Sequence, residues 1–138
     1  MKSSAHNPSR AGQRGFTLIE LLIVMVIIGI LAAIAVPRLN VTRHKAYRTT
    51  LRSDLKSLSN AQELYFNVHF TYSSDLSALQ APQSEGVTVT VNEANNGGWA
   101  ATATHAGLTS EQCGIFYGDA DASGASPATT PGVTTCTN

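Results

Sequence analysis

The sequence predicts an α+β fold, in which a long N-terminal α-helix carries a three- to four-stranded antiparallel sheet on its second half. Three observations predict this fold. Residues 16–36 are almost all apolar, residues 40–70 continue with helical periodicity, and short runs after residue 86 alternate apolar and polar side chains. The chain is therefore expected to contain one long helix and one small sheet-forming head.

The apolar run extends from Phe16 to Val36, and its only polar members are Thr17 and Glu20. About 20 apolar residues are enough for a helix to cross a membrane. Residues 1–15 carry cations and no acid, which predicts that this basic leader lies in the cytoplasm and that the bulk of the chain lies outside. The run is also longer than the apolar region of an ordinary secretory signal.

The helix is expected to continue past the apolar run. Apolar side chains recur at steps of three and four, which is the period of one helix face. We therefore predict a helix from about Phe16 to about Phe70. Residues 16–39 would be its transmembrane and assembly segment, and residues 40–70 its amphipathic continuation. The face expected to bury against the head comprises Tyr47, Leu51, Leu55, Leu58, Ala61, Tyr65 and Val68.

Residues 71–138 are expected to form the head. A loop with one turn of helix near Asp75 to Leu79 precedes the predicted sheet. The NEANNGG sequence at residues 92–98 predicts the turn of a hairpin. Residues 118–135 contain almost no large apolar side chain, so they would form a loose tail unless the chain end is tied down. The predicted strands are residues 87–91, 99–105 and 113–117.

Charge is divided along the chain. All nine Lys and Arg lie at or before Lys56, whereas seven carboxylates and no Lys or Arg follow it. A head without cations is not suited to grip phosphate backbones, so we expect no direct nucleic-acid binding by the head. The acidic head suits a solvated surface or one that faces a neighbour's positive patch. The cations after Pro37 could meet lipid headgroups, nucleic acid or acidic neighbours, and lipid headgroups are the plainest choice before assembly.

Cys113 and Cys136 are the two cysteines of the chain. An even number of cysteines in a non-cytosolic domain favours a disulfide, with two reduced thiols as the alternative. The disulfide would close residues 113–136 into a loop and stabilise the fold by about 3 kcal/mol in the chain-entropy description. Two cysteines without a nearby pair of His fall short of a zinc site.

Residues 119–124 resemble the start of a calcium loop, with Asp119, Asp121 and Ser123 at alternate positions. The twelfth position holds Thr130 instead of the expected Glu, so an ordinary polar turn is favoured and no metal is assigned. The sequence places no Ser or Cys nucleophile beside a base. We therefore expect neither an enzyme nor a cofactor.

Glu20 needs an explanation, because a carboxylate costs about 2.5–3.5 kcal/mol at the bilayer centre and less near its edge. No Lys or Arg follows within the apolar run. We therefore expect that this segment cannot satisfy Glu20 by itself and that its partner comes from outside the helix. One candidate is the amine that removal of the leader would create on a neighbouring copy.

Residues 14–20, RGFTLIE, resemble the cleavage and methylation signature of type IV prepilins and the related pseudopilins. The resemblance implies that a prepilin peptidase cuts between Gly15 and Phe16 and N-methylates Phe16. It further implies that Glu20 pairs with the Phe16 amine of an adjacent copy. Gly29 and Pro37 stand where family members have a helix segment that loosens in the filament. A C-terminal disulfide loop is also common among pilins.

The resemblance implies a structural subunit, a major pilin that polymerises through its N-terminal helix into a type IV pilus. It would wait in the bacterial inner membrane, meet the pilus assembly machinery and end in a homo-oligomeric surface filament. Adhesion and twitching motility would belong to the whole fibre. One alternative is a pseudopilin of a type II secretion system. Another is a membrane-anchored periplasmic binding module, which predicts no cleavage after Gly15 and tolerance of Glu20→Ala.

Overall fold

The computed structural model describes residues 15–137. The predicted leader therefore lies outside the described residues, apart from Gly15. Two compact units meet in the sequence between Arg38 and Leu39. In chain order the elements are α1 (Leu18–His69), α2 (Leu76–Leu79), β1 (Val87–Ala94), β2 (Gly98–His105), β3 (Gln112–Gly118), the 3-10 helix η1 (Ala122–Ala125) and β4 (Thr135–Cys136). The predicted α+β class is confirmed.

Helix α1 contains 52 residues, and its ends lie within two residues of the predicted ones. Pro37 lies inside it. Because proline has no N–H, the carbonyl four residues earlier loses its usual helical partner at this point. The predicted turn of helix in the following loop is α2, whose N-cap is Asp75; its carboxylate accepts a hydrogen bond from the Ser77 N–H at 2.8 Å.

The four strands form one antiparallel sheet in the order β1-β2-β3-β4. The predicted turn at residues 92–98 was too long, because β1 continues to Ala94. A register shift between Val91 and Glu93 accommodates the extra residue as a bulge. The turn itself is closed by the Asn95 side chain, which accepts hydrogen bonds from the N–H groups of Gly97 and Gly98.

The main core lies between the second half of α1 and one face of the sheet. Leu51, Leu55 and Leu58 are at most 1% exposed, and Trp99 of β2 is fully buried with them. Val68 was predicted to join this face and does not, since it is 71% exposed. It lies beyond Tyr65 and Phe66, the last α1 residues that pack against the core.

Residues 118–135 cover the other face of the sheet. Packing against the sheet holds this segment in place, in addition to the disulfide near the C-terminus. Phe116 and Ala100 pack there with small residues of this segment, Ala120, Ala125 and Ala128. Gly114 permits the close approach, because a Cβ at this position would overlap the Ala125 carbonyl. The Asn92 amide donates to the Gly124 carbonyl at 2.7 Å. The sequence predicted order in this segment only through the disulfide, whereas the structure adds a second small core.

Candidate assembly surface

The start of α1 is closed by a reciprocal pair of hydrogen bonds between Thr17 and Glu20. The Thr17 N–H donates to Glu20 Oε2 at 2.8 Å, and the Thr17 hydroxyl donates to the same oxygen at 2.9 Å. In return the Glu20 N–H donates to Thr17 Oγ1 at 3.3 Å. This is a capping box, in which two N-terminal N–H groups that lack helical partners are satisfied by side chains.

The expectation that Glu20 finds no partner within its own segment was therefore wrong. The capping box supplies neutral hydrogen-bond donors, although residues 16–36 contain no Lys or Arg. Among residues 15–137, both donors use Oε2 and no group bonds Oε1. Glu20 thus has a fixed orientation at the helix start and one oxygen still open to a positive group.

Gly15 and Phe16 precede α1 and lie outside the helix. Phe16 is 87% exposed, and a side chain at Gly15 would meet no other atom within 4 Å. No residue in the described range 15–137 packs over the bond between Gly15 and Phe16. This geometry is compatible with the predicted cleavage, which remains a prediction.

From Phe16 to Val36, every large apolar side chain is between 49% and 88% exposed. In the described part of the chain, α1 is the one helix long and apolar enough to cross a membrane. Monomeric soluble proteins rarely expose continuous apolar surfaces of this size, so such a surface indicates a membrane or protein partner. Gly29 lies on the same exposed surface. A Cβ at this position would meet no described atom within 4 Å, so no contact within the described chain requires a glycine here.

Within the second unit, α1 is tied to the loop between β2 and β3 by an ion pair. Arg48 Nε donates to Glu111 Oε2 at 2.6 Å, and His44 Nδ1 lies 3.6 Å from Glu111 Oε1. The hydrogen bond from Arg48 is the main reason that the pKa of Glu111 is lowered from its ordinary value, and His44 adds to the effect. The same bond raises the pKa of Arg48. One cation predicted to face headgroups is therefore already paired within the chain.

Two polar side chains of α1 are buried, and each of their polar atoms makes a hydrogen bond. The carboxylate of Asp54, 6% exposed, accepts hydrogen bonds from the Ser84 N–H at 2.7 Å and the Ser84 hydroxyl at 2.8 Å. Gln62, fully buried, donates to the Ser73 carbonyl and accepts from the Ser73 N–H. These contacts hold both ends of the segment between α1 and the sheet against the helix.

The disulfide joins Cys113 of β3 to Cys136 of β4, which are opposite each other in the sheet register. The calcium candidates have other contacts. Asp121 caps η1 by accepting from the Ser123 N–H at 2.8 Å, and this bond is the main reason that its pKa is lowered. Asp119 lies near Gly97 in the hairpin turn. Among the described residues, no three His, Cys, Asp or Glu side chains are grouped as metal ligands.

Some of these contacts have a recognisable pattern in the sequence, although they were not predicted from it. Thr17 and Glu20 have the Thr-x-x-Glu spacing of a capping box just before an apolar run. Asp54 and Gln62 fall in step with the apolar face of α1, a position where a polar side chain needs a specific partner. The pair between Arg48 and Glu111 had no local signal, because 63 residues separate the two side chains.

Comparison with known proteins identifies a family for this chain. Residues 10–36 match the family described as the prokaryotic N-terminal methylation motif. The chain is 36% identical over 100 residues to the type IV wide pilus major component PilA4 of Thermus thermophilus, covering 70% of this chain and 76% of that protein.

Two other relatives match about half of this chain. Over 72 residues the chain is 42% identical to the type II secretion system core protein G of Klebsiella michiganensis, covering 52% of this chain and 51% of that protein. Over 73 residues it is 44% identical to the type IV major pilin protein PilA of Myxococcus xanthus, covering 53% of this chain and 32% of that protein. The chain thus spans about half the length of the secretion relative.

The relatives are named as pilins and as a core protein of a secretion system, and the matched methylation motif, residues 10–36, contains the capped, exposed start of α1. The similarity to the Thermus protein covers 70% of this chain and 76% of that protein, so it extends into the head. The chain belongs to the type IV pilin family, together with the related pseudopilins, and it is a structural subunit and not an enzyme.

Proposed function

We propose that the chain is a major pilin that polymerises through α1 into a type IV pilus on the bacterial surface. The observation that carries the proposal is the apolar surface of residues 16–36, which has no partner within the described chain. In a membrane, lipid would cover this surface. In a filament, the same residues of other copies would cover it, and the heads would face outward.

In this proposal the leader, residues 1–15, is removed by a prepilin peptidase, and the new Phe16 amine is methylated. Residues 16–39 then form the assembly segment, residues 40–70 the amphipathic stem and residues 71–138 the head. The Phe16 amine of one copy pairs with Glu20 of its neighbour. The open Oε1 of Glu20 supports this pairing, since the amine can bind without breaking the capping box.

The proposed pair explains why a charge is tolerated in the apolar segment. An unpaired carboxylate in the membrane raises the free energy of the monomer, and pairing on assembly removes that cost. Gly29 and Pro37 are proposed as the weak points of α1 in the filament. Pro37 supports this, because it leaves one backbone carbonyl without its helical partner.

Mass spectrometry of sheared surface filaments tests the proposal. We expect a chain that begins at N-methylated Phe16 and ends with an intact head. Filaments containing the chain with its first fifteen residues still attached would contradict the proposed processing. Absence of the chain from surface filaments would contradict the proposed role as major pilin.

A pseudopilin of a type II secretion system is the second candidate. It is favoured by the 42% identity over 72 residues to a core protein G. Deletion of the gene separates the candidates. Loss of long surface filaments with normal protein secretion supports the pilin, whereas loss of exoprotein secretion with unchanged filaments supports the pseudopilin.

A further inference from the structure

The turn at residues 84–87 presents one carboxylate rigidly to solvent. The Ser84 carbonyl accepts from the Val87 N–H at 3.1 Å, and Gly86 has a φ of 78°, which suits a tight turn with glycine at its third position. Asp54 holds Ser84 through two hydrogen bonds. Glu85 therefore stands at the tip of an anchored turn and is exposed. No described residue pairs with its carboxylate.

Three of the cations on α1 form an exposed stripe at the same level. Lys45, Arg52 and Lys56 follow each other at steps of seven and four, so their side chains leave the helix within about 40° of one another. All three are exposed, and none makes an ion pair with a described residue. We call these three residues the basic stripe.

The turn and the basic stripe occupy the same length of α1. Ser84 is bonded to Asp54, and Gly86 lies against His105, whose ring stacks on Tyr47 with centroids 4.0 Å apart. The turn thus lies beside the helix between residues 47 and 54, within the range from Lys45 to Lys56. The other exposed carboxylates after β1, Asp119 and Asp121, lie at the hairpin end of the sheet near Gly97 and Glu93.

The turn and the stripe are on opposite sides of α1. Asp54 and Arg52 are two residues apart, so their side chains leave the helix about 200° apart. Glu85 therefore cannot reach the basic stripe of its own chain, whereas copies placed side by side can bring the two together. Such a contact joins two different surfaces, and a contact of that kind propagates from copy to copy.

We propose that Glu85 of one copy pairs with the basic stripe of the next copy along the filament. This inference rests on the proposed function for the parallel arrangement of α1 helices. A pair between Glu20 and the Phe16 amine joins positions four residues apart, which corresponds to about 6 Å of helix rise. This offset between neighbouring copies is smaller than the length of the basic stripe. Glu85 of one copy therefore lies at the same height along the helix as at least one cation of the neighbour's basic stripe.

Cysteine cross-linking tests the contact in cells. Two full-length, differently tagged copies are co-expressed, one with Glu85→Cys and the other with Arg52→Cys, and mixed dimers are counted in membranes and in sheared filaments. The matched control replaces Glu85→Cys by Asp119→Cys, an exposed carboxylate at the hairpin end. We expect at least about fivefold more mixed dimer from the 85–52 pair than from the control, because a disulfide forms only where two Cα atoms come within about 7 Å and Asp119 lies at the hairpin end, away from the basic stripe.

Mixed dimer at or below the control level would overturn the inference. Filament yield from the parent chain is scored separately and decides the proposed function. Mixed dimers in membranes without surface filaments would therefore support this contact while contradicting the major-pilin role.

Charge reversal provides a second measurement. Glu85→Lys should lower filament yield by about fivefold, and adding Arg52→Glu should restore at least half of the yield. Asp119→Lys makes the same charge change elsewhere and should have little effect. A double variant that assembles no better than Glu85→Lys would count against the pair.

Discussion

The two halves of α1 have the same secondary structure and opposite surroundings. In the second half, Leu51, Leu55 and Leu58 are at most 1% exposed against the sheet. In the first half, the large apolar side chains are all at least 49% exposed. The second half is thus stabilised by its own chain, whereas the first half depends on a membrane or on other copies. Helix formation and helix burial are separate properties in this molecule.

Two of the carboxylates of α1, Asp54 and Glu20, show the same difference. Asp54 is buried, and its two oxygens accept bonds from Ser84. Glu20 is exposed, and its two hydrogen bonds use a single oxygen. The first carboxylate completes the fold of one chain, and the second remains able to bind an outside cation.

The largest expected effect comes from a cavity in the buried half. Leu55→Ala should lower the free energy of unfolding by about 4 kcal/mol, because Leu55 is fully buried. Ile27→Ala in the exposed half is the matched change and should alter it by less than about 0.5 kcal/mol. Denaturant unfolding of the full chain in detergent measures both. Equal losses of unfolding free energy from the two substitutions would contradict the proposed difference between the two halves of α1.

Loss of the disulfide should have the next largest effect. Replacing Cys113 and Cys136 by Ser should reduce head stability by about 3 kcal/mol, because the unfolded chain gains the freedom of an open loop. The insertion of residues 16–36 into membranes should not change. Thermal unfolding and membrane fractionation of the same preparations check the two statements, and a lost membrane fraction would contradict the second.

Asp54→Ala should reduce stability less than loss of the disulfide does. It tests whether the carboxylate of Asp54, unlike that of Glu20, stabilises the fold of the single chain. It leaves Ser84 without its two hydrogen bonds, which we expect to reduce stability by about 2 kcal/mol. The readout is denaturant unfolding, with Asp119→Ala as the comparison, since Asp119 is exposed. An unchanged midpoint for Asp54→Ala would show that the anchored turn is not held by this carboxylate.

The smallest effect concerns the pH dependence of the pair between Arg48 and Glu111. The folded-state pKa of Glu111 is lowered, so the pair stabilises the head above the ordinary pKa of Glu, about 4.3. That stabilisation is lost as the pH falls through the lower folded-state pKa. Glu111→Gln should therefore reduce the melting temperature slightly at pH 7 and not at strongly acidic pH. A difference that is independent of pH would contradict this assignment.

The sequence predicted most of the fold, because α1 and the strands have strong local periodicity. The ends of α1 and the existence of β1, β2 and β3 followed from that periodicity. The length of β1 did not, since the bulge after Val91 breaks the alternation on which the prediction relied. The failure of Val68 has a similar origin, because periodicity identifies a helix face and not the point where its partner ends.

The candidate site was less predictable, because it depends on contacts between distant segments. The signature around Glu20 predicted an assembly segment, which stays a prediction, and it did not predict the capping box with Thr17. The second core depends on Gly114, where a missing side chain admits the Ala125 carbonyl. A lone glycine in a short strand does not reveal which segment approaches it. The position of Glu85 likewise depends on a distant contact, because Asp54 anchors the turn through Ser84, 30 residues further along the chain.

Glu20→Gln tests the central claim, which is that the charge of Glu20 serves neighbouring copies. Glutamine can keep the capping box with Thr17, so the helix start and membrane insertion should be preserved. The negative charge is lost, and we expect at least tenfold fewer sheared filaments at equal monomer level, since about 1.4 kcal/mol per contact already gives that factor. Filaments from Glu20→Gln that are as abundant as those of the parent would contradict the account.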